Sequence, residues 1–192
     1  MTLDAVPPNT TPLTGQLLEI YTLRATRRYG LSAVNQLQHA LQAATLAQRA
    51  GETPAMVIAT LLHDIGHMIH GLGENPAAEG VDDRHEVAGA DWLAQHFGAA
   101  VSEPVRLHVP AKRYLVATEP GYAQALSSDS VRSLALQGGP MSPAEIADFD
   151  RLPFADDARR LRRFDEAAKD PAAITPAFDH FLPLVQACLR RG

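Results

Sequence analysis

An imidazole and a carboxylate stand side by side in the apolar run Leu61-Leu62-His63-Asp64-Ile65-Gly66-His67. On a helix advancing about 100° per residue, His63 and Asp64 project from adjacent positions, and His67, four later, shares a face with His63. Three groups able to bind a metal or move a proton thus share one patch of a helix that should be buried. A buried charge is tolerated when it is paired or metal-bound. A core histidine satisfied by one aspartate would explain the pair in isolation, but the rest of the chain supplies further partners.

Those partners are His39, in Gln36-Leu37-Gln38-His39-Ala40-Leu41, then His85, His108, and Asp165 in Leu161-Arg162-Arg163-Phe164-Asp165-Glu166. Each lies on a different expected helix, apart from the adjacent His63-Asp64. Four histidines and two aspartates could enclose two metals in the core of a helical bundle, with Asp64 placed to bridge. Imidazole and carboxylate without thiolate suit iron, manganese or zinc.

The elements that must carry these residues all read as helices. Thr11-Pro12 is an N-cap followed by proline, and Leu13, Leu17, Ile20 and Tyr21 recur at helical spacing up to a stop at Gly30. Ser32 can cap a helix over 33–50 ending at Gly51, and Thr53-Pro54 starts the helix bearing His63 and Asp64. Residues 71–83 read as a polar loop. His85 opens a helix stopped by Gly98, and Ser102-Glu103-Pro104 starts a short one that reaches His108 and ends near Pro110. Ser128 or Ser130 begins another, ended by Gly138-Gly139. Ser142-Pro143-Ala144-Glu145 is a capping box. A helix over 154–168 follows, and Thr175-Pro176 starts the last, bent at Pro183. No alternating run reads as a strand, so the expectation is all-α: a loose arm over 1–10, then one domain over 11–192.

Bulk properties agree with that expectation. The 192 residues can bury a good core, and 46% hydrophobic with 20% charged residues describes an ordinary globular protein. A net charge of −5 argues against a nucleic-acid partner, and a small anionic ligand needs only a local basic pocket. Cys188 is the only cysteine, which leaves no intramolecular disulfide and no thiolate metal site. With no span-length apolar run and no signal-peptide pattern, no membrane partner and a cytoplasmic location are expected.

The order His39, His63-Asp64, His85, His108, Asp165 resembles the HD-domain superfamily over most of the chain, which implies a helical bundle with a dinuclear metal site. Tyr29, ten residues before His39, together with Asn35 to Gln42, looks like the entry to the mixed-valent diiron oxygenases that cleave carbon–phosphorus bonds. The stretch Ser133-Leu134-Ala135-Leu136-Gln137-Gly138-Gly139-Pro140 is also like theirs. The resemblance implies two iron ions (Fe2+/Fe3+), one held by His39, His63, Asp64 and Asp165 and the other by Asp64, His85 and His108. Tyr29 would cover the iron that receives O2 and withdraw when substrate binds. His67, Lys112, Ser130 and Arg162 would hold the phosphonate group. Arg162 offers a fork of donors and Lys112 a mobile point charge, while His67 and Ser130 add hydrogen bonds. Arg162 with Asp165, three apart, could equally be a helix-surface ion pair, and Lys112 a solvated lysine.

One position departs from that pattern. Where a relative acting on a primary ammonium carries a glutamate, three residues after the tyrosine, this chain has Ser32. Loss of the carboxylate is compatible with a trimethylammonium group, which aromatic faces can hold. The favoured substrate is therefore (R)-1-hydroxy-2-(trimethylammonio)ethylphosphonate, giving glycine betaine and phosphate. The same chemistry on 2-amino-1-hydroxyethylphosphonate or hydroxymethylphosphonate is an alternative. So are a metal-dependent phosphohydrolase and a non-catalytic ligand-binding domain. His70, His96 and His180 have no matching role.

Overall fold

A computed structural model describes residues 12–27, 31, 33–74 and 76–190. The loose arm expected over 1–10, Tyr29 and Ser32 lie outside the described residues. Helices account for all the regular structure seen there, and the one isolated bridge pairs Phe97 with Leu189.

The entry helix α1 (Pro12–Glu19) continues through a π-helical turn, Ile20–Arg24, and buries Leu13, Leu17, Ile20 and Tyr21 as their spacing predicts. Tyr21 donates its hydroxyl to the Leu61 carbonyl at 3.0 Å, and its ring stacks on Phe178. Helix α2 (Gln36–Arg49) starts later than expected. Its N-cap is Asn35, whose side chain accepts from the Gln38 N–H at 2.8 Å while Gln38 reaches back to the Asn35 N–H at 3.0 Å. This reciprocal box satisfies two backbone donors, and an asparagine cap is worth about 1 kcal/mol over a non-capping residue.

Helix α3 (Pro54–Leu62) is capped by Thr53 as read from the sequence and is buried on every face from Met56 to Leu62. It does not carry His63 and Asp64 within its length. The chain turns at that pair, with Asp64 at φ −96°, ψ 10°, and restarts as the short α4 (Ile65–Ile69). Gly66 is why α4 can lie so close to the residues that follow the next loop: a Cβ there would lie 2.0 Å from the His85 carbonyl oxygen. The polar loop contains one 3-10 turn, Pro76–Glu79. Arg84, at φ 47°, then turns the chain into α5 (His85–Ala94).

Proline misled the reading of α6. This helix runs from Ala99 to Thr118, straight through Pro104 and Pro110, and Gly98 is its N-cap rather than the stop of α5. An interior proline costs roughly 3 kcal/mol. Here α6 is held by packing against both α5 and α10, with Val101, Val105, Val109 and Leu115 buried. Tertiary contact of this kind outweighs local propensity. A short α7 (Tyr122–Ala125) was not anticipated. It precedes α8 (Ser128–Leu136), whose cap is Ser127, one residue earlier than expected.

Helix α9 (Pro143–Phe149) has the predicted capping box, and α10 (Ala155–Ala167) follows Phe154 at φ 67°. Thr175-Pro176 does not begin a helix. A 3-10 turn, Phe178–Phe181, leads into α11 (Leu182–Cys188), where Pro183 sits in the first turn and causes no bend. Phe178, Phe181, Leu182 and Val185 close the main core over α3.

Candidate metal centre

Helices α2, α5, α6 and α10 and the α3–α4 turn converge on one polar cluster inside this apolar frame. His39, His63, His108 and Asp165 are buried, as are Asp64 and His85. The structure brings all six expected ligands together.

Their hydrogen bonds fix how each ring points. His39 Nδ1 donates to the Ala168 carbonyl at 2.8 Å, His63 Nδ1 to Thr60 at 2.8 Å and His108 Nδ1 to Val105 at 2.7 Å. His85 Nδ1 donates to Asp83 Oδ1 at 2.9 Å. These acceptors have no proton to give, so each Nδ1 carries a hydrogen, and in the neutral ring each Nε2 presents a lone pair. The Nε2 atoms then meet in pairs, His39 with His63 at 3.2 Å and His85 with His108 at 3.1 Å. Two lone pairs facing each other at that distance repel unless a cation lies between them.

The carboxylates supply the matching negative charge. Asp165 Oδ1 is 3.3 Å from His39 Nε2 and 3.8 Å from His63 Nε2. Asp64 spans both pairs, with Oδ2 at 3.6 Å from His39 and Oδ1 at 3.4 Å from His63, 3.5 Å from His85 and 3.8 Å from His108. Burial works against the charge on Asp64, but the surrounding imidazoles outweigh it and hold the carboxyl far below the usual range. Burial likewise opposes a charge on His63, and Asp64 and Asp165 overcome it, lifting the imidazole to about 9. A proton and a metal ion are competing answers to that negative field. On the other side, burial and the charges of His85 and His63 keep His108 well below its ordinary value, ready to ligate as a neutral base. The donor set fits a metal ion bound by imidazole and carboxylate.

A cavity opens beside the cluster, lined by His67, Lys112, Ser130 and Arg162 as well as by the ligands. Arg162 is neither solvated nor a surface pair. It is buried, bonded to Asp165 and Glu166, and within 3.0 Å of Ser130 Oγ. Lys112 is buried too, donating to Ser133 Oγ at 2.7 Å. Burial and the nearby Arg162 charge lower its ammonium to about 7.

Other residues joining the site carried no role in the sequence reading. Gln36 donates to Asp64 Oδ2 at 3.2 Å. Glu166 gathers Ser130, Arg162 and Lys169, and Tyr122 faces Arg162 at 3.3 Å. Asp83 binds three histidines, among them His70, which is therefore not idle. Gln36 stands three before His39 on one helical face, a spacing that could have flagged it. His96 meets Trp92 edge to face and His180 meets Gln48, both away from the cavity.

An all-α bundle enclosing a histidine–aspartate cluster of this kind defines an HD domain, and residues 37–143 match that family: the chain belongs to the HD-domain family. Among its relatives is the [1-hydroxy-2-(trimethylamino)ethyl]phosphonate dioxygenase (glycine-betaine-forming) of Leisingera caerulea, 41% identical over 167 residues that cover 87% of this chain and 85% of that protein. The hydroxymethylphosphonate dioxygenase of Gimesia maris is 46% identical over 163 residues, covering 83% of this chain and 80% of that protein. No described helix is long and apolar enough to cross a membrane.

Proposed function

We propose that this protein is a cytoplasmic, O2-dependent dioxygenase that cleaves the C–P bond of a 1-hydroxyalkylphosphonate to a carboxylate and inorganic phosphate. The observation that carries the reading is one cavity with a metal-ligand cluster on one wall and a buried arginine, lysine and serine on another. The similarity to the two phosphonate dioxygenases supports it.

In this reading His39, His63, Asp64 and Asp165 hold one iron, and Asp64, His85 and His108 hold the other. Bound there, the irons supply Lewis acidity toward the substrate hydroxyl and the electron transfers with O2 that protein side chains cannot provide. The chain's own residues orient the substrate. Arg162, held by Asp165, Glu166 and Tyr122, presents a fixed guanidinium to the phosphonate, and Ser130 adds a hydroxyl beside it. Lys112 leaves Ser133 to contribute a mobile charge. His67 donates Nδ1–H to Asp83, so its Nε2 is an acceptor suited to the substrate's hydroxyl proton. Tyr29 would cover the O2-binding side until substrate enters.

The favoured substrate is 1-hydroxy-2-(trimethylammonio)ethylphosphonate. Among the described lining residues no Phe, Tyr or Trp offers a face to the trimethylammonium group. Leu31, Pro76 and Val81 supply apolar wall instead, and Asp82 supplies a carboxylate.

The deciding experiment is phosphate release by iron-loaded protein from this compound and from hydroxymethylphosphonate, with and without O2. Oxygen-dependent release with glycine betaine as co-product is the expected outcome. Release from hydroxymethylphosphonate alone keeps the chemistry and replaces the substrate. Oxygen-independent hydrolysis of a phosphoester, with both phosphonates inert, would overturn the reading in favour of a phosphohydrolase.

A further inference from the structure

We propose that Asp83 is a positioning residue that holds His67 and His85 as one unit, so that a single carboxylate orients both a metal ligand and the imidazole facing substrate. The inference rests on the metal and substrate assignments above and adds a residue to them.

Asp83 lies in the loop before α5, and its two oxygens serve different rings. Oδ2 accepts from His67 Nδ1 at 2.6 Å and from His70 Nε2 at 3.0 Å, while Oδ1 accepts from His85 Nδ1 at 2.9 Å. The proton on each donor is required by the acceptor-only carboxylate, and His70 confirms the pattern independently. Its Nδ1 accepts from the Leu72 N–H at 3.0 Å, so its hydrogen must be on Nε2. With Nδ1–H committed to Asp83, His85 keeps its Nε2 lone pair toward His108 and Asp64, and His67 keeps its own toward the cavity.

The two rings are also stacked, with centroids 3.8 Å apart and planes 20° from parallel. Neither can turn without displacing the other. Arg84 adopts φ 47°, a left-handed conformation uncommon outside glycine, and this turn brings the side chains of residues 83 and 85 together.

His67, His70 and Asp83 are close enough to bind a cation of their own. The hydrogen bonds argue otherwise. The ring nitrogens that face Asp83 already donate to it, and His67 and His70 would have to surrender those protons to ligate there. A clamp accounts for the geometry without an added ion.

Two measurements test the role. Long-range 1H–15N spectra of the zinc-loaded wild-type protein report which ring nitrogen carries hydrogen. His67 and His85 are expected as Nδ1–H tautomers and His70 as Nε2–H, and finding His67 or His85 protonated on Nε2 would overturn the proposal. Anaerobic Fe2+ dialysis of wild type, Asp83→Asn and Asp83→Glu then gives metal per chain, with melting curves as the folding control. Loss of a partner to a ligating histidine typically weakens metal affinity about 10–100-fold. Asp83→Asn is expected to weaken one of two irons by that factor and leave the other, while raising KM for hydroxymethylphosphonate at saturating iron. Asp83→Glu, which keeps the charge, should recover part of both. A folded Asp83→Asn protein with wild-type iron affinity and KM refutes the clamp. Wild type that takes up a single iron refutes the dinuclear assignment itself, and the clamp with it.

Discussion

Gly66→Ala tests whether the site depends on backbone contact between α4 and α5. The added Cβ would lie 2.0 Å from the His85 carbonyl oxygen, 2.6 Å from the carbonyl carbon and 2.8 Å from Cα. All three are backbone atoms, so no rotamer change relieves the overlap. Helix α5 must retreat by roughly 1.5 Å to regain van der Waals separation. It cannot slide along α4 instead, because Gly89 already brings its backbone close to Gly66 and Ile65. The retreat carries His85 away from His108 and Asp64, now 3.1 and 3.5 Å distant, and leaves His39, His63 and Asp165 in place. Overpacking of this kind costs about 1–3 kcal/mol. For a chain of this length that lowers Tm by about 2–12 °C. A displacement of about 1 Å at a reacting centre costs on the order of 100-fold in turnover. Calorimetry, iron per chain and oxygen-dependent phosphate release would be measured together. A variant that folds, keeps its iron and turns over within threefold of wild type would refute the reasoning.

Three further outcomes are expected. Arg162→Ala should raise KM about 30-fold or more, since truncating one member of a buried charge pair costs about 2–5 kcal/mol, and Arg162→Lys should recover part; unchanged KM in steady-state assays would remove Arg162 from the phosphonate site. Lys112, held at about 7 by burial and Arg162, is mostly neutral above that pH, so a phosphonate that needs the ammonium must drive proton uptake. KM should climb through pH 7–9 in wild type and stay flat in Lys112→Met. The same depressed value makes the folded chain bind fewer protons than the unfolded one between about 7 and the ordinary lysine range. Lys112 therefore destabilises the fold progressively as pH falls from the ordinary lysine range to about 7 and adds no further slope below it, and replacing it should flatten that slope in denaturant melts.

The buried histidine–aspartate cluster was legible in the sequence because histidine and aspartate seldom occupy apolar helical positions without a reason. His39, His63, Asp64, His85, His108 and Asp165 all arrive where their order implied. Helix ends were legible where a cap is local, as at Thr53 and Ser142. The errors arose where long-range packing decides. Pro104 and Pro110 read as terminators, yet α6 continues because both its flanks are buried. The break at His63-Asp64 and the close approach of α5 to Gly66 are features with no local signal. Asp83 looked like one more acid in a polar loop, since its partners His67 and His70 are brought to it only by the turn of α4.

Helices α6 and α10 each carry one expected metal ligand and one expected phosphonate contact. His108 and Lys112 are four apart, and Asp165 and Arg162 three apart. Helical rise makes those intervals about 6 and 4.5 Å. The fold thus has a built-in gauge whose anchor points are set by backbone geometry. Under the proposed assignments it admits a hydroxyl and a phosphonate joined through one carbon and leaves a longer spacer out of step. Nothing in that gauge measures the third substituent on the carbon. Under the same assignments, a change in the cavity wall would alter what can hang there without disturbing the spacing between the two anchor points.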